Sequence, residues 1–233
     1  MDGASGKTRK TAIIVAGGKG KRLGADIPKQ FLPLGGEPLL FHAMEAFRAY
    51  DRGLQLVVVL PPDHLDRWRE LCRSHGLDIP HMAVPGGAER YHSVKEGLAQ
   101  VDHDGLVAVH DGARPLVTPD LIARCFEGAL RHGAAIPVVP VSSSVREVSE
   151  GRSRAIDRER LRIVQTPQCF QAPLLRKAFG QPYEPAFTDE ATMVERLGAE
   201  VFLVAGDESN IKVTNPLDLR VAEELMAASP PGD

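Results

Sequence analysis

The alternation of continuous apolar runs with segments of helical spacing constrains this chain more than any other feature. Runs such as "TAIIVA" and "LQLVVVL" are typical of strands that are buried on both faces. We predict strands at 11–16, 54–60, 81–85, 134–141 and 199–206, and another that runs into a loop within 105–115. We predict helices at 38–50, 63–75, 92–101 and 118–132, and one that begins at Pro216 behind the N-cap Asn215. This order predicts a Rossmann-like α/β fold, with a largely parallel twisted sheet flanked by helices.

Length and composition fit one globular domain. The chain has 233 residues, of which 43% are hydrophobic and 25% are charged, and its formal net charge is −3. We expect a single domain over residues 10–228, with disordered tails at 1–9 and 229–233. A charge so close to neutral argues against nucleic-acid and membrane partners, because proteins that bind them carry a basic excess.

The cysteines and histidines indicate a compartment and argue against one cofactor. The three cysteines, at 72, 125 and 169, are odd in number and far apart, which favours a reducing compartment. The eight histidines show no ligand spacing, which argues against zinc. The polar N-terminus does not read as a signal peptide, so we expect a cytoplasmic protein.

Residues 142–168 interrupt the alternation, because they are rich in charge and poor in large apolar side chains. We interpret them as two short polar strands around a turn at 149–152. A two-stranded ribbon is marginally stable in water on its own, so this one should pack against the domain or against a second subunit.

The segment after the first strand, "AGGKGKRLG", mixes glycines with cations. Glycines let the backbone approach a ligand closely and turn its N–H groups inward, while lysine and arginine supply full charge. Four cations lie within the eleven residues from Lys19 to Lys29, which favours polyphosphate binding over a solvated turn. Neither the G-x-G-x-x-G fingerprint nor the Walker A pattern fits this loop. Ligands of parallel sheets bind at the carboxyl ends of the strands, so the loop and "HDGARP" (110–115) should meet at one crevice.

Several motifs together carry a resemblance to a known family. "AGGKGKRLG" followed by "PKQFLPLGG" is similar to the signature of nucleotidyltransferases. The later motifs are "GGAERYHSV" (86–94), "VHDGARP" (109–115), "TPQ" (166–168), "TDEA" (188–191) and "NIKVTNPLDL" (210–219). In this order they resemble the 2-C-methyl-D-erythritol 4-phosphate cytidylyltransferases of the non-mevalonate isoprenoid pathway. The resemblance covers about residues 11–226 and implies attack of the sugar-alcohol phosphate on the α-phosphate of CTP, with release of pyrophosphate.

The resemblance also implies roles for individual residues. The catalytic cations would be Arg22, Lys29, Arg158 and Lys212. The nucleotide-binding set would be Ala16, Gly17, Gly18, Gly20, Arg22, Lys29, Gly87, Ala88, Arg90, Ser93, Asp111, Gly112 and Lys212. The sugar-phosphate-binding set would be Asp111, Gly112, Arg114, Ser144, Arg158, Thr166, Thr188 and Lys212. A Mg²⁺ ion would be held mainly by substrate phosphates, with Asp111 as the nearest carboxylate.

The ribbon acquires a role from the same resemblance. In the family it is an arm, here at about 142–165, that interlocks with a second subunit and carries sugar-phosphate ligands across the interface. The resemblance therefore implies a homodimer in which Ser144 and Arg158 serve the partner's site.

Plainer interpretations of the same residues stay open. Asp111 and Arg114 would form a local ion pair, Lys212 would be an exposed strand lysine, and Arg158 would belong to a solvated run of charge. Thr188 would be the N-cap of a helix that begins at Asp189, with or without a ligand role.

Two alternative functions also stay open. The same chemistry on ribitol 5-phosphate is one, and Ala113 argues against it because the ribitol enzymes tend to have a bulkier residue there. A nucleotide-binding regulator without catalysis is the other, and the intact cations Arg22, Lys29, Arg158 and Lys212 argue against it.

Overall fold

The computed structural model describes residues 8–17 and 28–228. Its strands are β1 (Lys10–Val15), β2 (Pro33–Leu34), β3 (Glu37–Pro38), β4 (Gln55–Leu60), β5 (Met82–Pro85), β6 (Leu106–Asp111), β7 (Ala134–Pro140), β8 (Val145–Ser149), β9 (Arg152–Ile156), β10 (Arg162–Val164), β11 (Gln168–Gln171) and β12 (Phe202–Ala205). Its helices are α1 (Leu39–Tyr50), α2 (Leu65–Ser74), α3 (Arg90–Leu98), α4 (Pro119–His132), α5 (Ala172–Phe179), α6 (Glu190–Glu195) and α7 (Pro216–Ala228). The tails predicted to be disordered fall largely at 1–7 and 229–233, which lie outside the described residues.

A single mixed sheet forms the centre of the described chain. Its strand order is β10-β7-β11-β6-β1-β4-β5, and β12 pairs with β7. The pairs β6–β1, β1–β4, β4–β5 and β7–β12 are parallel, whereas β10 and β11 are antiparallel to their neighbours. The sheet is mostly parallel and flanked by helices, which confirms the predicted fold class.

Apolar layers cover both faces of the sheet, because successive side chains of a strand point to opposite sides. In β1, Ile14 packs into the layer that contains α1, Trp68 of α2 and α4. Its neighbour Ile13 packs into the opposite layer, with α3, α5 and α6. This two-sided burial is the physical reason that the strands read as unbroken apolar runs.

The predicted bounds need several corrections. The helix expected at 63–75 is a 3₁₀ turn, Pro62–His64, followed by α2, and α3 begins at Arg90 rather than at residue 92. The short polar-ended strand β11 and helix α5 were not predicted at all. Strand β11 inserts antiparallel between β6 and β7, within a sheet that the sequence predicted to be largely parallel.

The polar ribbon exists as two strands. Residues Val145–Ser149 pair with Arg152–Ile156 in an antiparallel register, and Glu150 and Gly151 form the turn with φ angles of 50° and 76°. Cross-strand contacts join Arg146 to Ser153 and Arg154 to Glu147. Most of its side chains are exposed, as expected for a segment of this composition. Among the described helices, none is both long and apolar enough to cross a membrane.

Candidate active site

A pocket of about 440 Å³ lies at the carboxyl edge of the parallel strands. Its lining comes from the ends of β1 and β6, from the β5–α3 connection and the first turn of α3, and from Gln30 and Lys212. The residues predicted for the site that line it are Ala16, Gly17, Gly87, Ala88, Arg90, Ser93, Asp111 and Lys212. The predicted meeting of the first loop with "HDGARP" at one crevice is therefore confirmed for the described residues.

Backbone hydrogen bonds hold the lining segments at the strand ends. The N–H of Ala16 donates to the carbonyl of Val59 at 2.9 Å, and the N–H of Gly112 donates to the carbonyl of Val15 at 2.9 Å. The N–H of Gly86 donates to the carbonyl of Leu60 at 2.7 Å. Each loop thus leaves the sheet attached to the neighbouring strand, which fixes the pocket floor.

A chain of alternating charges crosses the pocket. Lys212 Nζ lies 2.6 Å from Asp111 Oδ2, and Arg90 Nε lies 3.2 Å from Asp111 Oδ1. On the other side, Arg90 Nη1 lies 2.5 Å from Oε1 of the buried Glu190. Arg90 therefore bridges a carboxylate in the pocket to a carboxylate in the core, and both oxygens of Asp111 are engaged.

These contacts set the protonation states. Burial alone would raise the pKa of Asp111, but Arg90 and Lys212 outweigh it and hold that pKa well below its usual range. Burial also disfavours charge on Arg90, but Glu190 and Asp111 more than compensate and raise its pKa. For Glu190 burial dominates and raises the pKa, although Arg90 opposes the shift. Asp111 is a persistent anion and is therefore a poor proton acceptor near neutral pH.

Behind Asp111, His110 and Thr166 form a buried polar link. The N–H of Asp111 donates to Thr166 Oγ1 at 3.1 Å, and that hydroxyl donates to His110 Nδ1 at 3.1 Å. The other ring nitrogen, Nε2, donates to the carbonyl of Arg114 at 3.1 Å. Burial lowers the pKa of His110 to about 4, with the Arg114 carbonyl opposing the shift, so the ring is neutral with one defined tautomer. Thr166 is itself buried, and its predicted contact with the sugar phosphate stays a prediction.

Two plainer interpretations are wrong. Arg114 makes no direct ion pair with Asp111. Its buried guanidinium is directed toward the loop between β12 and α7, where Nη1 donates to the carbonyl of Asn210 at 2.6 Å. Thr188 is not the N-cap of α6. The cap is Asp189, whose Oδ1 accepts from the N–H of Thr192 at 2.9 Å, and Thr188 is exposed.

Comparison with known proteins shows the family to which this chain belongs. Residues 10–228 match the model of the 2-C-methyl-D-erythritol 4-phosphate cytidylyltransferase family. This chain belongs to that family. A cytidylyltransferase of this name from Bacteroides fragilis is 50% identical over 217 residues, covering 93% of this chain and 99% of that protein. One from Porphyromonas gingivalis is 45% identical over 223 residues, covering 95% of this chain and 100% of that protein.

Solved structures agree with this assignment. The crystal structure of the cytidylyltransferase from Thermus thermophilus is 35% identical and superposes with a TM-score of 0.73, covering 95% of this chain and 100% of that chain. A bifunctional protein from Campylobacter jejuni is 28% identical with a TM-score of 0.78, and this chain spans 54% of its length. The chain is thus a nucleotidyltransferase, and these relatives support neither the ribitol phosphate alternative nor the inactive regulator.

Some of the predicted residues do not line the pocket, and others lie outside the residues that the structure describes. Gly18, Gly20 and Arg22 lie outside the described residues, and for Lys29 only the backbone, in the 3₁₀ turn Lys29–Phe31, is described. Ser144 and Arg158 belong to the ribbon region and do not line the pocket of their own chain. Arg158 is exposed, and its Nη1 donates to the carbonyl of Ser142 at 2.6 Å.

Lys212 is not a strand lysine, because residues 211–214 form a loop. It is held beside β6 by the N–H of Val213, which donates to the carbonyl of Ala113 at 2.8 Å. Gly112 also lies at this end of β6, beside Asp111.

Sequence reasoning missed four residues that build the site. Gln30 and Glu89 line the pocket, Glu190 anchors Arg90, and His110 supports Asp111. All four lie within motifs that the sequence displays, since Gln30 belongs to "PKQ" and Glu190 to "TDEA". The signal was present, but a motif does not say which of its polar members point inward.

Asp111 is the carboxylate predicted to lie nearest to Mg²⁺. Within the described chain, the one cluster of three metal-ligating side chains is Glu37, His42 and Glu45, and none of these residues lines the pocket. Asp111 offers hard oxygens of the kind that Mg²⁺ prefers, although both now accept from cations.

Proposed function

We propose that this protein joins CTP and 2-C-methyl-D-erythritol 4-phosphate to give 4-diphosphocytidyl-2-C-methyl-D-erythritol and pyrophosphate. One observation carries the proposal: a chain that is 50% identical to a cytidylyltransferase over 93% of its length sets Arg90, Asp111 and Lys212 in one pocket at the carboxyl edge of its sheet. Such an edge is where α/β sheets bind nucleotides.

The chemistry asks for charge rather than for a base. A phosphate monoester has a second pKa near 6, so the acceptor is largely dianionic at neutral pH and its oxygen is already a nucleophile. The difficulty is to bring two polyanions together and to stabilise charge that develops on the phosphorus oxygens. Asp111 is unsuited to remove a proton, because Arg90 and Lys212 keep its pKa low.

Lys212 is the described residue best suited to meet both phosphates. Its side chain is 40% exposed, and its Nζ is tethered to Asp111 at 2.6 Å. We propose that Asp111 orients this ammonium group, which then bridges the α-phosphate of CTP and the acceptor phosphate. Arg22 in the glycine loop and Lys29 in the following 3₁₀ turn would act on the triphosphate. Gly87, Ala88 and Ser93 would surround the nucleoside.

A divalent cation fits the donor set in part. We propose that Mg²⁺ is bound through substrate phosphates, with one Asp111 oxygen available once Lys212 turns toward them. The ion supplies additional positive charge beside the triphosphate. The chain's own cations position the phosphates whether or not the ion is bound.

We also propose a homodimer in which the ribbon reaches the neighbouring subunit. The exposed ribbon residue Val148 and the solvent-facing Arg158 support this arrangement, because neither lines the pocket of its own subunit. Ser144 and Arg158, with Arg114, Thr166 and Thr188, would then complete the acceptor site. The three cysteines are unpaired, which is consistent with a cytoplasmic location.

A pyrophosphate-release assay tests the proposed function. It compares 2-C-methyl-D-erythritol 4-phosphate with ribitol 5-phosphate at equal CTP, with and without Mg²⁺. We expect turnover that is faster on the methylerythritol phosphate and dependent on the metal. Faster turnover on ribitol phosphate, or CTP binding without product from either acceptor, would overturn the proposal.

A further inference from the structure

Gln30 is a buried amide whose hydrogen-bonding groups are not used by the described protein. Its side chain lines the pocket and is 1% exposed. Neither Oε1 nor Nε2 has a hydrogen-bond partner within residues 8–17 and 28–228. Buried polar groups are almost always satisfied, so an amide that leaves both of its atoms unpaired at a pocket wall calls for a partner.

A second glutamine provides the contrast. Gln168 is also 1% exposed, but its Nε2 donates to Asp189 Oδ2 at 2.9 Å and its Oε1 accepts from the N–H of Ala191 at 3.0 Å. The fold therefore supplies hydrogen-bond partners to both amide atoms of Gln168, which links β11 to the start of α6. Gln30 differs in its partners and not in its burial.

The backbone around Gln30 holds the side chain at the pocket wall. The neighbouring Phe31 is buried and stacks on Trp68 with ring centroids 6.0 Å apart. The N–H of Phe31 donates to the carbonyl of Pro28 at 2.9 Å, which closes the 3₁₀ turn. Because Phe31 occupies the core side of this turn, Gln30 is committed to the pocket side.

We propose that Gln30 binds the nucleoside part of the nucleotide substrate, an inference that rests on the proposed cytidylyltransferase function. A carboxamide offers donors at Nε2 and an acceptor at Oε1. A phosphate group only accepts, so it would satisfy Nε2 and leave Oε1 unpaired. A ribose hydroxyl or the N3–N4 edge of cytosine both donates and accepts, and so satisfies both amide atoms at once.

The test uses the same apolar substitution at both glutamines. Gln30→Met removes the unpaired amide while keeping its length, so thermal unfolding without nucleotide should occur at or above the wild-type temperature. Gln168→Met loses two made bonds and should unfold at a lower temperature or fail to fold. Calorimetric titration of Gln30→Met should show affinities for CTP and CMP reduced together about ten-fold, and an unchanged affinity for inorganic pyrophosphate.

Several outcomes would overturn the role proposed for Gln30. A fall in the unfolding temperature of Gln30→Met like that of Gln168→Met means that the protein itself holds the amide, and overturns it. If Gln30→Met binds CMP as tightly as wild-type protein does, or loses affinity only for pyrophosphate, the inference is overturned as well. If wild-type protein turns over CTP and the variant binds CMP normally, the inference fails while the proposed function stands. If wild-type protein binds no CTP, the proposed function fails first. Comparison of CTP with 2′-deoxy-CTP then tells a ribose contact from a base contact.

Discussion

Arg90 is the residue on which the described charges of the site converge. Its guanidinium spans Asp111 in the pocket and Glu190 in the core, a geometry that a planar fork permits and an ammonium group does not. The arrangement makes a core carboxylate a determinant of pocket geometry. It also brings Glu190 of "TDEA", a motif far along the chain, into contact with a residue that lines the pocket.

Glu190→Gln tests this arrangement. The neutral amide keeps the shape of Glu190 but leaves Arg90 with one carboxylate, so we expect a loss of about 1–3 kcal/mol in the free energy of unfolding. Urea unfolding measures this value. The matched control is Glu184→Gln, whose 2.7 Å pair with Arg196 is half-exposed and should cost less than about 1 kcal/mol. Equal losses in the two variants would contradict the anchoring role.

Lys212→Ala tests the catalytic charge. Loss of a preorganised charge donor typically lowers kcat by about 10² to 10³, and we expect that range here. Steady-state pyrophosphate release provides the measurement, with Lys177→Ala on the exposed face of α5 as the control. Near-normal turnover in Lys212→Ala would remove this residue from the mechanism.

At the scale of single residues, the sequence predicted which residues gather but not how they pair. Asp111, Arg90 and Lys212 line one pocket as the sequence indicated, whereas two plainer alternatives, the ion pair of Arg114 with Asp111 and the helix cap at Thr188, are wrong. Pairing depends on side-chain direction, which tertiary packing sets. Gln30 and Glu190 were overlooked for the same reason.

At the scale of elements, the carboxyl end of β6 depends on a neutral histidine. His110 is buried between the Thr166 hydroxyl and the Arg114 carbonyl, and its pKa is lowered from 6.5 to about 4. The unfolded chain therefore binds more protons than the folded chain between these values, and stability is lost as the pH falls through this window. His103 shifts in the same direction and Glu190 in the opposite one.

Comparison with His110→Asn isolates the contribution of this ring. Wild-type protein should lose about 3 kcal/mol more than the variant between pH 6.5 and pH 4. Urea unfolding across this range supplies the values. Parallel pH profiles in the two proteins would show that His110 is charged, or solvated, in the fold.

The elements that sequence predicted well are those whose pattern follows from burial. Strands β1, β4, β6 and β7 are covered on both faces, so their apolar runs identified them. Strand β11 escaped because its polar ends, Gln168 and Gln171, break the apolar run of a four-residue strand. A short antiparallel insertion has no period of its own to detect.

At the scale of the whole molecule, the proposed dimer makes a prediction about shared sites. If Arg158 serves the partner's site, Arg158→Ala and Lys212→Ala proteins are each inactive, yet a mixed dimer has one intact site. Co-expression of the two variants should then restore about a quarter of wild-type activity, as random pairing of subunits requires. Activity that stays at the level of the single variants would place Arg158 in its own subunit's site or outside catalysis.

The central claim is that positioned charge, with no side chain acting as a base, makes the acceptor phosphate react. The pH dependence of kcat/KM for 2-C-methyl-D-erythritol 4-phosphate tests it most directly, measured at pH values where circular dichroism shows the folded protein. We expect kcat/KM to rise to a plateau with a single inflection at the acceptor's own second pKa, near 6, as determined by phosphorus NMR of the free compound. An inflection that departs from the acceptor's pKa and belongs to a group on the protein would contradict it.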